Sequence, residues 1–230
     1  MPYRRLPNTN QARLRSLRDA VSMGETLDLA FSYKSLEQAK GFLVRYERAL
    51  FEYKLCSEKQ ASANKKHQNT IKFARLYISH FIQVLHMCIA RNEIKAENKL
   101  LYGLDENSSV VPDLTSEENL LEWGKKIIEG ERQRTTKGGA PIYNPAIAKV
   151  RVHYDIFVES YNDQKVLQNN TARTIENISQ LNEIADALIL EIWDQVEAYF
   201  AKFPQPERLD KCRKYGVIYY FRKGEEEKSS

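Results

Sequence analysis

Between Arg75 and Ile94 the chain reads RLYISHFIQVLHMCIARNEI. At about 100° per residue, Ile71, Ile78, Ile82, Leu85 and Ile89 fall on one side of a helix, with Ala74, Phe81 and Cys88 beside them. Tyr77 and Val84 lie further round, and Phe73, Leu76 and Met87 occupy the far side. Only the sector holding Lys72, Arg75, Ser79, Gln83 and His86 is polar. A surface helix carries one apolar stripe, whereas one that is apolar nearly all round is buried or meets a second partner. Polar residues interrupt the stretch too often for a bilayer span, which needs about 20 mostly apolar residues. The stretch therefore belongs at the centre of an all-helical assembly. Its far side, with Phe73, Leu76, His80 and Met87, is a candidate interface.

The flanking sequence carries the same signal. Leu36, Ala39, Leu43, Tyr46, Leu50 and Tyr53 step by three and four, a seam suited to left-handed bundle packing. Residues 57–69, SEKQASANKKHQN, are polar throughout. They form either the turn of a helical hairpin or part of two protruding long helices. The seam resumes in phase at Ile71 and is expected to end near Tyr102, with Gly103 closing the helix. A second pair follows. Ile147, Val150, Tyr154, Phe157 and Tyr161 form one seam, Asn169-Asn170-Thr171 a turn, and Ile178, Leu181, Ala185, Leu188, Ile192, Val196, Tyr199 and Phe203 the other.

The predicted fold is all-α, a four-helix-bundle core made from two helical hairpins in one compact domain. Its parts are an N-terminal arm and short helix (1–34), a first hairpin (35–103), a linker with a helix and a Gly-rich loop (104–145), a second hairpin (146–203) and a C-terminal segment (204–230). That last segment holds a short basic helix, an extended stretch and a charged tail expected to be disordered. Tyr46 and Tyr53 match Tyr154 and Tyr161 in spacing and place, which suggests an internal duplication. Asn8 or Asn10 is expected to cap the first helix, and Ser35 with Gln38 forms a capping box for the next. Thr115 or Ser116 should start the linker helix, where Gly124 and Gly130 permit close backbone approach. Residues 132–145 read as an irregular loop, with Asn144-Pro145 as cap and first helical residue. Alternation over 27–33 marks one short extended segment and 217–221 reads as a strand, the two pairing within the chain or across a dimer.

Charge and cysteine content narrow the function classes. The net charge of +4 comes from 35 basic and 31 acidic residues, unevenly spread. Residues 1–24 hold five arginines against Asp19, and 105–131 hold eight acids against Lys125 and Lys126. This reads as complementarity within the chain or between subunits. A nucleic-acid footprint would need the basic residues on one surface, so nucleic-acid binding ranks third among the functions. Cys56, Cys88 and Cys212 form no CxxC pair and suit a reduced cytoplasm. The N-terminus has no apolar signal core.

Chemistry-bearing motifs are sparse. His80 and His86 stand about 120° apart on one helix, and no Glu-x-x-His occurs, so neither a metal site nor a cofactor is predicted. Glu183, Asp186, Glu191, Asp194 and Glu197 read as a solvent face rather than as catalytic acids. The loop Arg132, Arg134, Lys137, Gly138 and Gly139 is an anion-binding candidate, because glycine frees backbone N–H groups beside cations. It is neither a phosphate-binding loop nor a dinucleotide fingerprint. GxSxG and HExxH are absent.

The stretches YISHFIQVLHMCIARNE, EWGKKIIEGERQR with GGAPIYNPAIAKV, and KYGVIYYFRK resemble an uncharacterised family of all-helical proteins of Bacteroidetes-type bacteria. The resemblance implies a helical fold and a bacterial cytoplasmic setting, and it carries no activity or site residue. The expected function is a non-enzymatic interaction or scaffold protein that self-associates through the second apolar helix face. The alternative is small-ligand or cofactor binding in the bundle interior, with or without enzymatic action. A membrane partner is not expected.

Overall fold

Residues 2–26 and 29–222 are described by a computed structural model, whose regular elements are helices apart from one two-stranded sheet. The elements run β1 (Tyr3–Arg4), α1 (Asn10–Gly24), α2 (Tyr33–Ala90), a 3-10 helix (Ala96–Tyr102), α3 (Glu117–Thr136), α4 (Ile147–Tyr199), α5 (Gln205–Lys214) and β2 (Tyr219–Tyr220). The all-α class expected from the seams is what the chain adopts.

The division into four long helices is corrected. In place of two hairpins there are two continuous helices, α2 of 58 residues and α4 of 53. The polar run 57–69 and Asn169-Asn170-Thr171 are helical throughout. Neither contains glycine or proline. Lys, Glu, Gln and Ala favour helix, and Asn, Ser and Thr each cost less than about 0.7 kcal/mol. Every proline of the chain lies outside α2 and α4.

Two compact units replace the single domain: Met1–Ser57 with Asn170–Ser230, and Glu58–Asn169. Each has its own apolar cluster. Apolar residues are sparse on both long helices near the division.

In the first unit, α2 and α4 run antiparallel. Ser35 donates to Glu191 at 2.8 Å, and the Tyr46 hydroxyl donates to Asn182 at 2.6 Å. Leu17 and Ala20 of α1, Ala39 and Tyr46 of α2, and Ala185, Trp193 and Val196 of α4 are buried together. Thr9 caps α1, between the two asparagines expected to do so, by accepting from the Ala12 N–H at 3.2 Å. Ser32 caps α2 by accepting from the Ser35 N–H at 3.1 Å, because the Ser35 hydroxyl is turned inward to Glu191.

β1 and β2 pair antiparallel, Tyr3 opposite Tyr220 and Arg4 opposite Tyr219. The extended 217–221 segment thus pairs with the N-terminal arm and not with 27–33. Leu29–Ser32 form no strand and Tyr33 already opens α2. Leu27, Asp28 and the tail 223–230 lie outside the described residues. The basic N-terminus is matched inside the chain: Arg13 holds both Asp186 oxygens (2.7 and 2.8 Å), Arg4 reaches Asp194 and Glu197, and Arg18 reaches Glu47.

In the second unit α2 ends at Ala90, well before Gly103. Asn92 takes a left-handed φ of 61°, its N–H reaches the Ile89 carbonyl and the Glu93 N–H reaches the Cys88 carbonyl, both at 2.9 Å. That double bond is a Schellman stop with asparagine in the glycine role. Gly103, with φ 69°, closes the following 3-10 helix instead. Ser116 caps α3, accepting from the Asn119 N–H at 3.1 Å, and α3 continues to Thr136 through residues that read as loop. The Asn144–Pro145 bond is cis and α4 begins at Ile147 rather than at Pro145.

Two glycines bring α3 in close. A Cβ at Gly124 would stand 2.2 Å from the Tyr154 ring and 3.0 Å from Ile78, and one at Gly130 would stand 2.6 Å from the Tyr102 ring. Gly41, exposed on α2, has nothing within 4 Å of a built Cβ. Opposite outcomes follow for one chemical change. Gly124→Ala carries an overpacking cost of about 1–3 kcal/mol, more than the helix-propensity gain of under about 1 kcal/mol. Gly41→Ala takes that propensity gain alone, roughly 0.5–1 kcal/mol. Urea unfolding followed by circular dichroism should show the first midpoint fall and the second rise.

Candidate functional site

The far side of the central stretch is uncovered in the folded chain. Phe73 is 48% exposed, Leu76 55% and Met87 56%, and His80 is exposed as well. The opposite side, with Ile78, Phe81, Ile82 and Leu85, is fully buried. Val152 and Ile156 of α4 are likewise half exposed. His153 links the two helices: its ring stacks on Tyr77 with centroids 4.1 Å apart and on Phe73 at 5.8 Å. α3 packs on α2 and α4 through Gly124, against Ile78 and Tyr154, and the Tyr154 hydroxyl donates to the Leu121 carbonyl at 2.9 Å. Helical spacing puts Phe73 and Leu76 away from Ile78, and Val152 and Ile156 away from Tyr154. One side of the pair is thus roofed by α3, while the other keeps an apolar strip open to solvent.

The anion-loop residues are placed differently from one another. Arg134 is buried beneath the loop and Glu131 is completely buried beside it. Arg134 Nε donates to Glu131 Oε2 and to the Tyr102 hydroxyl, each at 2.9 Å, and its Nη2 donates to Glu131 Oε1 at 2.8 Å and the Ala140 carbonyl at 2.7 Å. Tyr102 in turn donates to Glu131, and the Ile142 N–H reaches the same carboxylate at 3.2 Å. Burial first, and then the bond to Glu131, hold the Tyr102 phenol far above its ordinary value, so it acts as a neutral donor. A Cβ at Gly139 would stand 2.7 Å from Arg134 Nη1. Arg132 faces solvent and pairs with both oxygens of Glu129 (2.7 and 2.9 Å), holding that carboxyl down to about 2. Lys137 caps α3, and Gly138 takes a φ of 89°. Both arginines are therefore engaged by carboxylates of their own helix, and Arg134 fastens the loop to the 3-10 helix.

Parts of a nucleophilic relay meet at His67. Its Nδ1 lies 2.9 Å from the Ser160 hydroxyl, and its Nε2 lies 3.3 Å from Glu117 Oε2, close enough for an ion pair but off-line for a hydrogen bond. Its ring stacks on Phe157 and it is 2% exposed. Acyl transfer also needs donors aimed at the developing oxyanion. Ser160 sits in the interior of α4, where neighbouring backbone N–H groups are committed to the helix. The trio therefore ties α2, α3 and α4 together. The sequence offered no sign of it, since its members lie far apart in the chain and each is an ordinary helix residue.

His86 has both ring nitrogens buried without a hydrogen-bond partner. Burial first, and then the Lys99 charge, push its imidazole below the ordinary value. Lys99 is itself buried and donates to the carbonyls of Glu106 (2.8 Å) and Ser108 (2.9 Å). In the first unit, Trp193 is buried in the core with its indole N–H unpartnered. An open groove of about 540 Å³ lies between α2 and α4 there, over Gly41 and Ala187 and flanked by Glu37, Arg45 and Glu191. It includes neither His80 nor Trp193. Among the described residues no three His, Cys, Asp or Glu side chains are grouped to hold a metal. By length and composition alone, α2 holds an 18-residue window (mean hydropathy 1.2, 33% buried) long and apolar enough to cross a membrane. The core helix of a soluble protein passes the same test.

No family model, curated protein or solved structure matches the chain.

Two outcomes test this assignment of roles. Glu131→Ala strands the Arg134 charge in the interior and should cost about 3–5 kcal/mol, whereas Tyr102→Phe should cost roughly 1–3 kcal/mol, both read from urea unfolding. The His86 imidazole is less basic in the fold than in the unfolded chain, so across that difference the unfolded chain binds more protons and stability rises with pH through this group. Its contribution is whole above the ordinary imidazole value of 6.5 and falls away below it. His86→Gln should flatten the change in melting temperature between pH 7.5 and pH 5.5 relative to the parent chain.

Proposed function

We propose that this chain is a non-enzymatic interaction or scaffold protein that associates with itself through the open apolar strip of its second unit. The observation that carries this reading is the half-exposure of Phe73, Leu76 and Met87 on α2 with Val152 and Ile156 on α4. Single exposed apolar residues are ordinary, but several on the same side of two paired helices mark an interaction surface. Covering each such side chain is worth on the order of 1 kcal/mol. His153, held between Tyr77 and Phe73, gives the strip a rigid aromatic centre that loses little entropy on docking. The polar groups buried at Glu131 and His67 join helices and loop: Glu131 binds Arg134, and His67 lies against Ser160. The reading includes the bacterial cytoplasmic setting that the sequence resemblance implies, in keeping with three cysteines that are all unpaired.

Sedimentation velocity over a concentration series tests it. The parent chain should show a dimer that dissociates on dilution. Leu76→Glu and Val152→Glu should each yield monomers of unchanged helicity. A parent chain that stays monomeric at high micromolar concentration would overturn the proposal.

A further inference from the structure

The open strip is not only apolar; its two helices carry opposite charge. On α2, Lys65, Lys66 and Lys72 are exposed along it, and on α4, Asp155, Glu159 and Asp163 are exposed. The contacts within the chain set their levels. His67 is level with Ser160, and Phe73 and Tyr77 are level with His153. Stepping in opposite directions along the antiparallel pair puts Lys65 level with Asp163, Lys72 with Asp155 and Leu76 with Val152.

A symmetric dimer built on this strip has a two-fold axis lying in the contact plane. An axis across the helices would lay α2 on the partner's α2, lysines on lysines, and α4 on α4, acids on acids. An axis along the helices lays α2 of each copy on α4 of the other and preserves every level. From this we infer that the partner is a second copy of the chain docked with its two-fold axis along the helices, α2 over α4. This rests on the self-association proposed above and goes further by fixing the orientation. Lys65 of each copy then faces Asp163 of the other, and Lys72 faces Asp155. Leu76, Phe73, Val152 and Ile156 meet between these charged edges. Lys149, the basic exception on this side of α4, falls level with Ser79 and His80, where no second lysine opposes it. Arg151 is already drawn to Asp155 at 3.5 Å. Exposed ion pairs add little affinity singly, but they penalise the like-on-like alternative and so select orientation.

Charge reversal tests the arrangement on the full chain. Lys65→Glu with Lys72→Glu makes one variant, and Asp155→Lys with Asp163→Lys the other. All four positions are exposed, and circular dichroism checks that both variants remain folded. Each alone should self-associate at least tenfold more weakly than the parent at 50 mM salt. Their equimolar mixture should form a heterodimer of near-parental affinity, because every reversed edge then meets its opposite. If the parent dimerises but the variants match it, or if mixing restores nothing, the orientation is wrong while self-association stands. If the parent is monomeric under the same conditions, both readings fall together.

Discussion

The antiparallel contact between α2 and α4 is the constraint on which each unit depends. In the first unit it runs through Tyr46 and Asn182, in the second through His67 and Ser160. Two helices alone cannot enclose a core, because each buries only the stripe facing the other. Each unit therefore lays a third helix on the pair, α1 in the first and α3 in the second. α1 is fastened by Arg13 to Asp186 and by Asn10 to Asn182, and α3 by Gly124 against Ile78 and Tyr154. A third helix roofs one side of a pair and leaves the other side open. The uncovered strip of the second unit is a direct consequence of that arithmetic.

The way α3 is held explains why polar groups are buried next to it. The 3-10 helix, the end of α3 and the loop after it must all meet near Gly130. Their free carbonyls and N–H groups need partners away from water. Glu131 and Arg134 supply them: the carboxylate takes the Ile142 N–H and the Tyr102 hydroxyl, and the guanidinium takes the Ala140 carbonyl. A charged pair is a costly way to do this unless every donor and acceptor is met. Here the loop backbone supplies the last partners, so the pair specifies one loop path.

Much of the fold could be read from the sequence, and the failures share a cause. The seams at Leu36 to Tyr53, Ile71 to Cys88, Ile147 to Tyr161 and Ile178 to Phe203 identified helices and, for most positions, their buried sides; Tyr199 and Phe203 are exposed, and α4 ends at Tyr199. Polarity is a poor sign of turning: residues 57–69, where the sequence leaves a hairpin turn and protruding long helices both open, and 169–171 are mostly exposed, His67 and Thr171 excepted, and nothing in them forbids helix. Conversely the true end of α2 depends on Asn92 in a left-handed conformation, a weaker written signal than the glycine eleven residues on. The exposure of the strip was legible at Phe73, Leu76, His80 and Met87, since these positions lie off the seam that fills the core. Its α4 half was not, because Val152 and Ile156 stand out as uncovered only once Tyr154 is known to face α3. The burial of Arg134 was also hidden, for Glu131 three residues earlier looks like an ordinary surface pair until the loop closes over both.

The uncovered strip is costly for a single copy of this chain to keep. The core side of α2 already holds Ile78, Phe81, Ile82 and Leu85 at full burial, so Leu76 and Met87, more than half exposed, add little to it. Exposed aromatic and aliphatic groups add nothing to helix propensity over Lys, Glu or Gln, and they raise the risk of indiscriminate association. The charged edges bear on that second cost. In the dimer proposed above, lysines along α2 and acids along α4 leave the apolar centre accessible and would penalise any docking that sets like charges together. Apolar surface sets how tightly such a strip can hold a partner, and its flanking charges set which partner and which orientation. A face that combines the two has the composition of a selective contact.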